Sequence, residues 1–247
     1  MTRDELLSKA KPILFNTEMV RAILEGHKTV TRRVLKTDKY IPENSIFGYT
    51  YITPEGYISA IRGKYCGEEF IPLPYQIGGV LYVRETCCKT ENRYIYRADY
   101  SDKEKFYQAG NEIIIKWKPS RYMPKEAARI FLRVKDVRIE KIWEITVEDV
   151  SKEGICINDI EPPPICCNTP NPPKGFDAWT SEMQADWFYK TARASYIGWC
   201  DYADQVTKRF GVVWDTTINP KEIIQYGWKA NPWVWVIEFE RIDNYEF

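Results

Sequence analysis

The sequence predicts an α+β fold in which short strands build a mixed β-barrel with flanking helices and a helical insertion. Apolar runs at 80–84, 130–142 and 233–242 have the length and spacing of strands, and turn-forming residues separate them. A helical repeat of apolar residues at 19–24 adds a flanking helix. The chain has 247 residues, which fits one large domain or a domain with an insertion. We therefore expect residues 1–247 to form a single domain.

Residues 26–33, with the sequence Gly-His-Lys-Thr-Val-Thr-Arg-Arg, concentrate the reactive side chains of the chain. The preceding helix is predicted to be capped by Asn16 or Thr17, and Gly26 is suited to the position just past its end. The β-branched residues that follow favour a strand. The segment therefore predicts a helix, a glycine turn and a strand.

Other segments are also predicted to form strands and turns. Residues 49–61 predict a hairpin whose turn, 53–56, has Pro and Gly at favoured positions. Residues 94–98 and 113–117 are strand candidates on either side of a charged helix or loop at 101–110. In the two longest predicted strands, alternation places these side chains on one face: Ile130, Leu132 and Val134 in the first, and Trp233, Trp235, Ile237 and Phe239 in the last.

Residues 145–154 predict a short helix with clear ends. Thr146 and Asp149 match a capping box, and Gly154 is suited to end the helix. Glu153 then lies at the carbonyl end, where a carboxylate opposes the helix dipole by a few tenths to about 1 kcal/mol. Either Glu153 is solvated and tolerates this cost, or it has a specific role there.

Residues 161–175 contain six prolines, which favours a loop or lid over a helix or strand. Two helices are predicted to follow, at 177–196 and 201–218, with Asn219-Pro220 ending the second. We expect the residues at about 156–205 to be an insertion.

Charge and cysteine content narrow the possible classes. The 35 basic and 35 acidic residues cancel, so any contact with nucleic acid would be local. The sequence has no long apolar run and no signal-peptide pattern, which predicts a soluble cytoplasmic protein without a membrane partner. Seven cysteines without CxxC spacing and one His predict free thiols, and neither a metal nor a cofactor.

Gly26-x-Lys28-x-x-Thr31-x-Arg33 resembles the G-x-K-x-x-[TE]-x-R signature of ASCH domains, members of the PUA-like superfamily of small β-barrels. Further segments are similar, in the same order, to an ASCH-like group common in phage and prophage genomes: Lys11-Pro12-Ile13-Leu14-Phe15-Asn16, Gly79-Val80-Leu81-Tyr82-Val83-Arg84-Glu85 and Asn231-Pro232-Trp233-Val234-Trp235-Val236-Ile237-Glu238-Phe239. The resemblance covers roughly residues 11–155 and 210–242, and Gly79 stands where Asp is usual. It implies a PUA-like barrel with the signature at its mouth and, if phage-encoded, a place in the host-cell cytoplasm.

Lys28, Thr31 and Glu153 are the predicted catalytic residues, because some small ASCH proteins act as N4-acetylcytidine amidohydrolases through such a Lys, Thr and Glu. A Thr hydroxyl needs a base, and Lys serves as one only if burial or a nearby cation lowers its pKa. In a regular strand Lys28 and Thr31 point to opposite faces, so they converge only if the turn or a bulge re-aims Lys28, or if its long side chain reaches round. The predicted substrate-binding residues are the neighbouring groups His27, Arg32 and Arg33. A solvated strand edge without chemistry is the alternative.

A second cluster of cations spans residues 116–138, with Trp117 and Tyr122 among them. Cations interleaved with aromatic residues suit phosphate contact and base stacking. The predicted nucleic-acid-binding residues are Lys118, Arg121, Lys125, Arg129 and Arg133. An ordinary charged face, offset by nearby acids, is the alternative.

The sequence leaves three functions open. The first is binding of RNA, single-stranded nucleic acid or a modified nucleoside in a pocket at the barrel mouth. The second is hydrolysis, either nuclease activity or removal of an acyl group from a modified nucleoside such as N4-acetylcytidine. The third is that of a phage accessory protein acting on a host protein. The PUA-like resemblance makes nucleic-acid or nucleoside recognition the natural expectation.

Overall fold

The computed structural model describes residues 2–36, 47–53, 56–62, 68–91, 93–101, 106–108, 111–113, 115–160 and 180–243. These residues form a mixed α+β fold, which confirms the coarse fold prediction. No helix among them is long and apolar enough to cross a bilayer. The predicted Pro-rich loop at 161–175 lies outside the described residues.

The strands in chain order are β1 (Lys11–Leu14), β2 (Val30–Val34), β3 (Phe47–Ile52), β4 (Tyr57–Arg62), β5 (Glu68–Pro72), β6 (Val80–Arg84), β7 (Cys87–Lys89), β8 (Tyr94–Tyr96), β9 (Phe106–Gln108), β10 (Asn111–Ile113), β11 (Phe131–Lys141) and β12 (Trp233–Arg241). The α-helices are α1 (Arg3–Lys9), α2 (Thr17–Leu24), α3 (Val147–Lys152), α4 (Ser181–Thr217) and α5 (Ile223–Tyr226). Short 3-10 helices lie at Arg97–Asp99, Ser120–Tyr122, Lys125–Ala127, Ile142–Glu144, Pro220–Glu222 and Trp228–Ala230.

The central sheet has five strands in the order β1-β6-β11-β12-β2. β1 runs parallel to β6, whereas the β6–β11 and β12–β2 pairs are antiparallel. β1 and β2 are the two edges, and no ladder joins them among the described residues. The sheet is therefore mixed, and its closure into a barrel stays a prediction.

Smaller sheets correct the predictions for the middle of the chain. The hairpin expected at 49–61 is formed by β3 and β4, and β5 adds a third strand. The segment 101–110 contains strand β9, which pairs with β10, rather than only a helix or loop. The strand predicted at 113–117 is wrong for residues 115–117, because the short β9–β10 ladder ends at Ile113.

Alternation along β11 and β12 builds the main core, as the sequence predicts. Leu132 and Val134 share one buried cluster with Ile237 and Phe239, whereas Phe131 belongs to a second cluster. Ile130 and Trp235 are also in the first cluster, and Trp233 packs against it while partly exposed. Both faces of β11 therefore bury apolar side chains. Each fully buried side chain stabilises the fold by roughly 1.5–3 kcal/mol.

α2 and the turn after it position the signature. Asn16 caps the helix, its Oδ1 accepting a hydrogen bond from Met19 N at 2.8 Å. Gly26 has a φ of 79°, a left-handed conformation that L side chains rarely adopt. The turn folds back onto the helix, since Lys28 N donates to Ala22 O at 3.0 Å. The predicted helix, glycine turn and strand are all present.

Contacts divide the chain into two compact units. The first consists of Met1–Glu140, Lys152–Gly154 and Trp233–Phe247, and the second of Lys141–Ser151 and Ile155–Pro232. The second unit contains the predicted insertion at about 156–205 and extends beyond it.

The second unit holds one long helix where the sequence predicts two. α4 runs without a break through 37 residues. Gly198 sits where the break was expected, but one glycine inside a helix costs only about 1 kcal/mol and does not end it. The helix ends just before Asn219-Pro220, as predicted. Phe210 and Trp214 stack in its last third, and Gly211 leaves room for Trp228.

Candidate functional site

Lys28 leaves the turn between α2 and β2, and its side chain is completely buried. Its Nζ donates hydrogen bonds to Val30 O at 2.8 Å, to Glu153 O at 2.8 Å and to Glu153 Oε2 at 2.6 Å. An ammonium group has three N–H bonds, and each meets an acceptor here. The geometry therefore holds Lys28 as a protonated, ion-paired group.

Glu153 follows the last residue of α3 and is only 6% exposed, so it is not a solvated helix-end carboxylate. An antiparallel bridge joins its backbone to Lys28, and Thr29 N donates to Lys152 O at 2.9 Å. Gly154 makes this approach possible, because a Cβ there would lie 2.7 Å from the Ala22 Cβ and 2.9 Å from the Lys28 Cβ. Of the two alternatives that the sequence left open for Glu153, the structure favours a specific role, which is a contact with Lys28 of the signature.

Arg32 is the second buried cation at Glu153. Its side chain has no exposure, and NH1 donates to Glu153 Oε1 at 3.3 Å. NH2 donates to Glu140 Oε2 at 3.2 Å, and Glu140 also accepts a hydrogen bond from Arg138 Nε at 2.5 Å. A continuous chain of ion pairs thus runs from Lys28 to the partly exposed Arg138. Arg32 is a structural partner of Glu153 rather than a group open to a ligand.

Thr31 is buried but does not join Lys28 and Glu153 directly. It pairs in register with Ile237, so alternation places its side chain on the face opposite Arg32. Among the described residues its hydroxyl makes no hydrogen bond with Lys28 or Glu153. The structure therefore brings Lys28 and Glu153 into contact and places the Thr31 side chain on the face of β2 opposite Arg32.

Burial is the main influence on the pKa of Lys28. It lowers this pKa below the ordinary 10.5, and Glu153 opposes the change through its charge and hydrogen bond. Arg33 and Arg32 lower the same pKa further. A general base needs a lowered lysine pKa, as burial provides here, although the contact with Glu153 favours the ammonium form.

Arg33 lies next to Arg32 in β2 but has different surroundings. Its guanidinium donates from NH2 to Leu14 O at 2.6 Å and lies 5.2 Å from the centroid of the Phe15 ring. This is the one hydrogen bond that the Arg33 guanidinium makes among the described residues. Burial lowers the pKa of Arg33 and Glu153 opposes this, but a guanidinium stays charged at any ordinary pH.

A cavity of about 440 Å³ lies beside this guanidinium, between the edge strands β1 and β2. We call it the Arg33 pocket. Its lining includes Ile13, Leu14, Arg33, Tyr75, Trp235 and Ile237. Small-molecule sites commonly measure roughly 300–1,000 Å³ and combine apolar walls with a few polar groups. The pocket has that character.

Tyr75 and Trp235 are pocket residues that sequence reasoning did not assign to the site. The Tyr75 hydroxyl donates to Pro12 O at 3.0 Å, which holds the ring against β1. Burial raises the pKa of Tyr75, and Arg33 opposes this. Trp235 was predicted to share a face of the last strand with Trp233, Ile237 and Phe239, and it is the register partner of Arg33. That pairing, had it been known, would have identified Trp235 as a neighbour of the signature.

His27 is the predicted substrate-binding residue farthest from the buried network. Its side chain is 72% exposed, and Nδ1 lies 3.3 Å from Glu25 Oε2. It therefore sits on the surface of the turn, away from the contacts that Lys28 makes.

The predicted nucleic-acid-binding residues fall into two groups. Lys118, Arg121 and Lys125 are exposed. Arg129 instead donates to Glu85 at 2.8 and 3.0 Å and to both oxygens of Asp99 at 2.8 Å. Arg129 also lies 3.9 Å from the centroid of the Tyr96 ring. Burial lowers the pKa of Arg129, but the hydrogen bonds that it donates to Glu85 and Asp99, together with their charges, outweigh burial and raise this pKa.

Arg133 is more exposed than Arg129 but also faces an acid. Its Nε lies 3.7 Å from Glu240 Oε1, and Lys135 Nζ lies 3.3 Å from Glu240 Oε2. The structure therefore favours Lys118, Arg121 and Lys125 over Arg129 and Arg133 as cations that a phosphate can reach.

The described residues contain no group of His, Cys, Asp and Glu arranged to hold a metal ion. Four cysteines are described, and all are free thiols: buried Cys87, partly exposed Cys88, and exposed Cys156 and Cys200.

Comparison of the chain with known protein families, curated proteins and solved structures finds no match. The ASCH resemblance accordingly rests on the four sequence segments alone, and function has to be inferred from the geometry.

Proposed function

We propose that this chain binds a base-bearing ligand, from RNA, single-stranded nucleic acid or a modified nucleoside, in the Arg33 pocket of a PUA-like barrel. The observation that carries this proposal is Arg33 itself. Its guanidinium places a permanent positive charge on the wall of a cavity of about 440 Å³ and makes one hydrogen bond among the described residues. A guanidinium has five N–H donors, so this arrangement can offer several to a ligand.

The rest of the lining suits a nucleobase. A base has flat π faces and an edge of carbonyl and ring-nitrogen acceptors. Tyr75 and Trp235 supply aromatic surface for such a ring, and Arg33 supplies donors for its edge. The side chains of Ile13 and Ile237 add apolar surface to the lining.

The position of the pocket supports the PUA-like part of the proposal. β1 and β2 are the edges of the central sheet and lie on either side of the cavity. The hydrogen bond from Arg33 to Leu14 O spans these edges. In a barrel, this seam is where a ligand would enter, and the signature lies beside it.

Equilibrium dialysis and tryptophan fluorescence, with cytidine, N4-acetylcytidine and a short single-stranded RNA at low salt, test the proposal. We expect saturable binding of at least one of them. Arg33→Ala should weaken it at least tenfold, about 1.4 kcal/mol. Tyr75→Ala should weaken binding, whereas Tyr75→Phe keeps the ring and should bind more tightly than Tyr75→Ala.

Lys208→Ala is the matched control, since Lys208 is a 69% exposed cation of the second unit. It should leave the affinity unchanged. Wild-type protein that is folded by circular dichroism and binds none of these ligands would refute the proposal. Equal affinities for wild type and Arg33→Ala would refute the assignment of the pocket.

Amidohydrolase activity is the second candidate, favoured by the 2.6 Å contact between Lys28 and Glu153 and by the lowered pKa of Lys28. In this reaction a neutral Lys28 would take the proton of the Thr31 hydroxyl, and Glu153 would orient the amine. Thr31 lies on the face of β2 that carries Arg33, and it is the register partner of the pocket residue Ile237. The obstacle to this reaction is the protonation of Lys28, because its ammonium group already donates three hydrogen bonds and must lose a proton before it can act as a base.

Release of acetate from N4-acetylcytidine tests this second function. Thr31→Val keeps the β-branched shape, removes the hydroxyl and should abolish release while binding persists. Lys28→Arg should not restore activity, because a guanidinium is not a base near neutral pH. Wild-type protein that binds the nucleoside but releases no acetate would leave binding as the function.

A further inference from the structure

A basic surface with an exposed aromatic ring lies one strand away from β1, which lines the Arg33 pocket. Leu14, on the pocket wall, is the register partner of Arg84 in β6, so the two backbones are about 4.8 Å apart. Arg84 in turn holds the 3-10 turn Ser120–Tyr122. Its Nε and NH2 donate to Met123 O at 3.1 and 2.9 Å, and NH2 also donates to Arg121 O. The turn is therefore clamped to the strand next to the pocket.

The clamped turn presents an exposed aromatic ring between cations. Tyr122 is 66% exposed. Arg121 precedes it, and Lys125 follows with its Nζ 5.8 Å from the centroid of the Tyr82 ring. Lys118 extends the charge on the other side, held by a backbone bridge to Cys87. We call this surface, made of Lys118, Arg121, Tyr122 and Lys125, the Tyr122 platform.

The acids around the platform do not neutralise it. Glu126 is the acid within residues 116–126, and its Oε1 accepts a hydrogen bond from the Tyr94 hydroxyl at 3.1 Å. The β7–β8 hairpin has two exposed cations, Lys89 and Arg93, and one exposed acid, Glu91, among its described residues. The surface is therefore locally basic on a chain with no net charge.

We propose that the ligand of the Arg33 pocket is one nucleotide of a single strand, and that the Tyr122 platform binds the adjoining nucleotides. This inference rests on the proposed function of the pocket. A basic surface alone attracts any polyanion, but an exposed ring stacks only on a base that is free of its duplex partner. Ring and cations together therefore select a single strand over a duplex, and a strand over a free nucleoside.

Fluorescence anisotropy with a labelled single-stranded hexanucleotide, competed by the mononucleoside of the same base, tests the inference. The strand should bind at least tenfold more tightly than the nucleoside and more tightly than a duplex of the same sequence. Tyr122→Ala should lower the strand-to-nucleoside affinity ratio by roughly 5- to 100-fold, the range for loss of one stacked base. Arg121→Ala with Lys125→Ala should reduce the salt dependence of strand binding.

Tyr57→Ala is the matched control, because Tyr57 is an exposed tyrosine on β4, 41% accessible. It should leave the ratio unchanged. A strand that binds no better than the nucleoside, an unchanged ratio in Tyr122→Ala, or a duplex that binds as tightly as the strand would each overturn the inference. Those results leave nucleoside binding in the pocket intact, whereas failure of the pocket itself appears as no nucleoside binding.

Discussion

Arg32 and Arg33 are neighbours in β2, but their side chains have different burial and different partners. Arg32 is fully buried and donates to Glu153 and Glu140. Arg33 points to the other face, reaches Leu14 O and lines a cavity. Strand alternation separates the two guanidiniums, since consecutive side chains point to opposite sides of a sheet.

The difference shows how one basic motif supports two tasks. Lys28 and Arg32 share the carboxylate of Glu153, and this network ties Glu153 to the signature turn. On the face of β2 opposite Arg32, Arg33 donates to Leu14 O and lines the Arg33 pocket, where we propose that it binds the ligand. Removing a buried partner should therefore cost stability, and removing Arg33 should cost affinity.

The largest effect is expected from Glu153→Ala. It leaves the buried cations Lys28 and Arg32 without their shared carboxylate, which should lower the free energy of unfolding by about 3–5 kcal/mol. Urea denaturation measures this loss. The exposed Glu25→Ala should change stability by about 0.5 kcal/mol or less.

A double-mutant cycle sharpens that result. Lys28→Met combined with Glu153→Gln removes both charges, and the pair should be less destabilised than the sum of the single changes. Strict additivity would show that the contact between Lys28 and Glu153 contributes no coupling energy.

Replacing Arg32 and Arg33 one at a time tests the comparison directly. Arg32→Met leaves Glu153 with Lys28 alone and should lower the free energy of unfolding by about 2–3 kcal/mol. Arg33→Met removes a partly exposed side chain and should cost about 1 kcal/mol or less while it weakens ligand binding. Equal losses of stability in the two variants would contradict the division of roles. Urea denaturation and ligand titration of both proteins decide between these outcomes.

Gly154→Ala should have a smaller but specific effect. Gly78 has the same φ of 78° but open space around it, whereas a Cβ at Gly154 meets Ala22 and Lys28. Gly154→Ala should therefore be destabilised by about 1–3 kcal/mol more than Gly78→Ala, the usual cost of overpacking. Thermal or urea unfolding of the two variants measures the difference. Similar losses would mean that residue 154 can shift away from Ala22 and Lys28 without cost.

The exposed ion pair of the second unit should show the smallest effect. The hydrogen bond from Arg209 lowers the pKa of Asp159 to about 2 from an ordinary 3.8. A lowered carboxyl pKa stabilises the fold above pH 3.8, and this contribution is lost as the pH falls through about 2. In a carboxyl NMR titration, Arg209→Ala should return the midpoint of Asp159 toward 3.8. A midpoint that stays near 2 would assign the shift to another group.

Local pattern was enough to predict the elements that form the site. Capping and glycine signals correctly gave the start of α2 and the turn at Gly26, whereas α3 ends at Lys152, before the predicted end at Gly154. They also directed attention to Glu153, because a carboxylate at a helix carbonyl end is unfavourable and invites a partner. Strand alternation around Thr31 could have been applied to separate the two arginines.

Long-range pairing was beyond such reasoning. Glu85 and Arg129 are 44 positions apart, and only the β6–β11 register brings them near each other, so Arg129 looked free for phosphate. Tyr75 lies in an irregular segment whose position depends on the whole sheet. The single α4 was predicted as two helices with a gap at residues 197–200, whereas the helix continues through them.

The hydrogen bonds of the two signature cations also have a consequence for aggregation. An unpaired sheet edge is a template on which another chain can add a strand. Lys28 covers the carbonyl of Val30 on β2, Arg33 covers that of Leu14 on β1, and Pro12 has no N–H to offer. The same side chains that define the site thus make both edges poor templates, and their loss would favour intermolecular β-sheet.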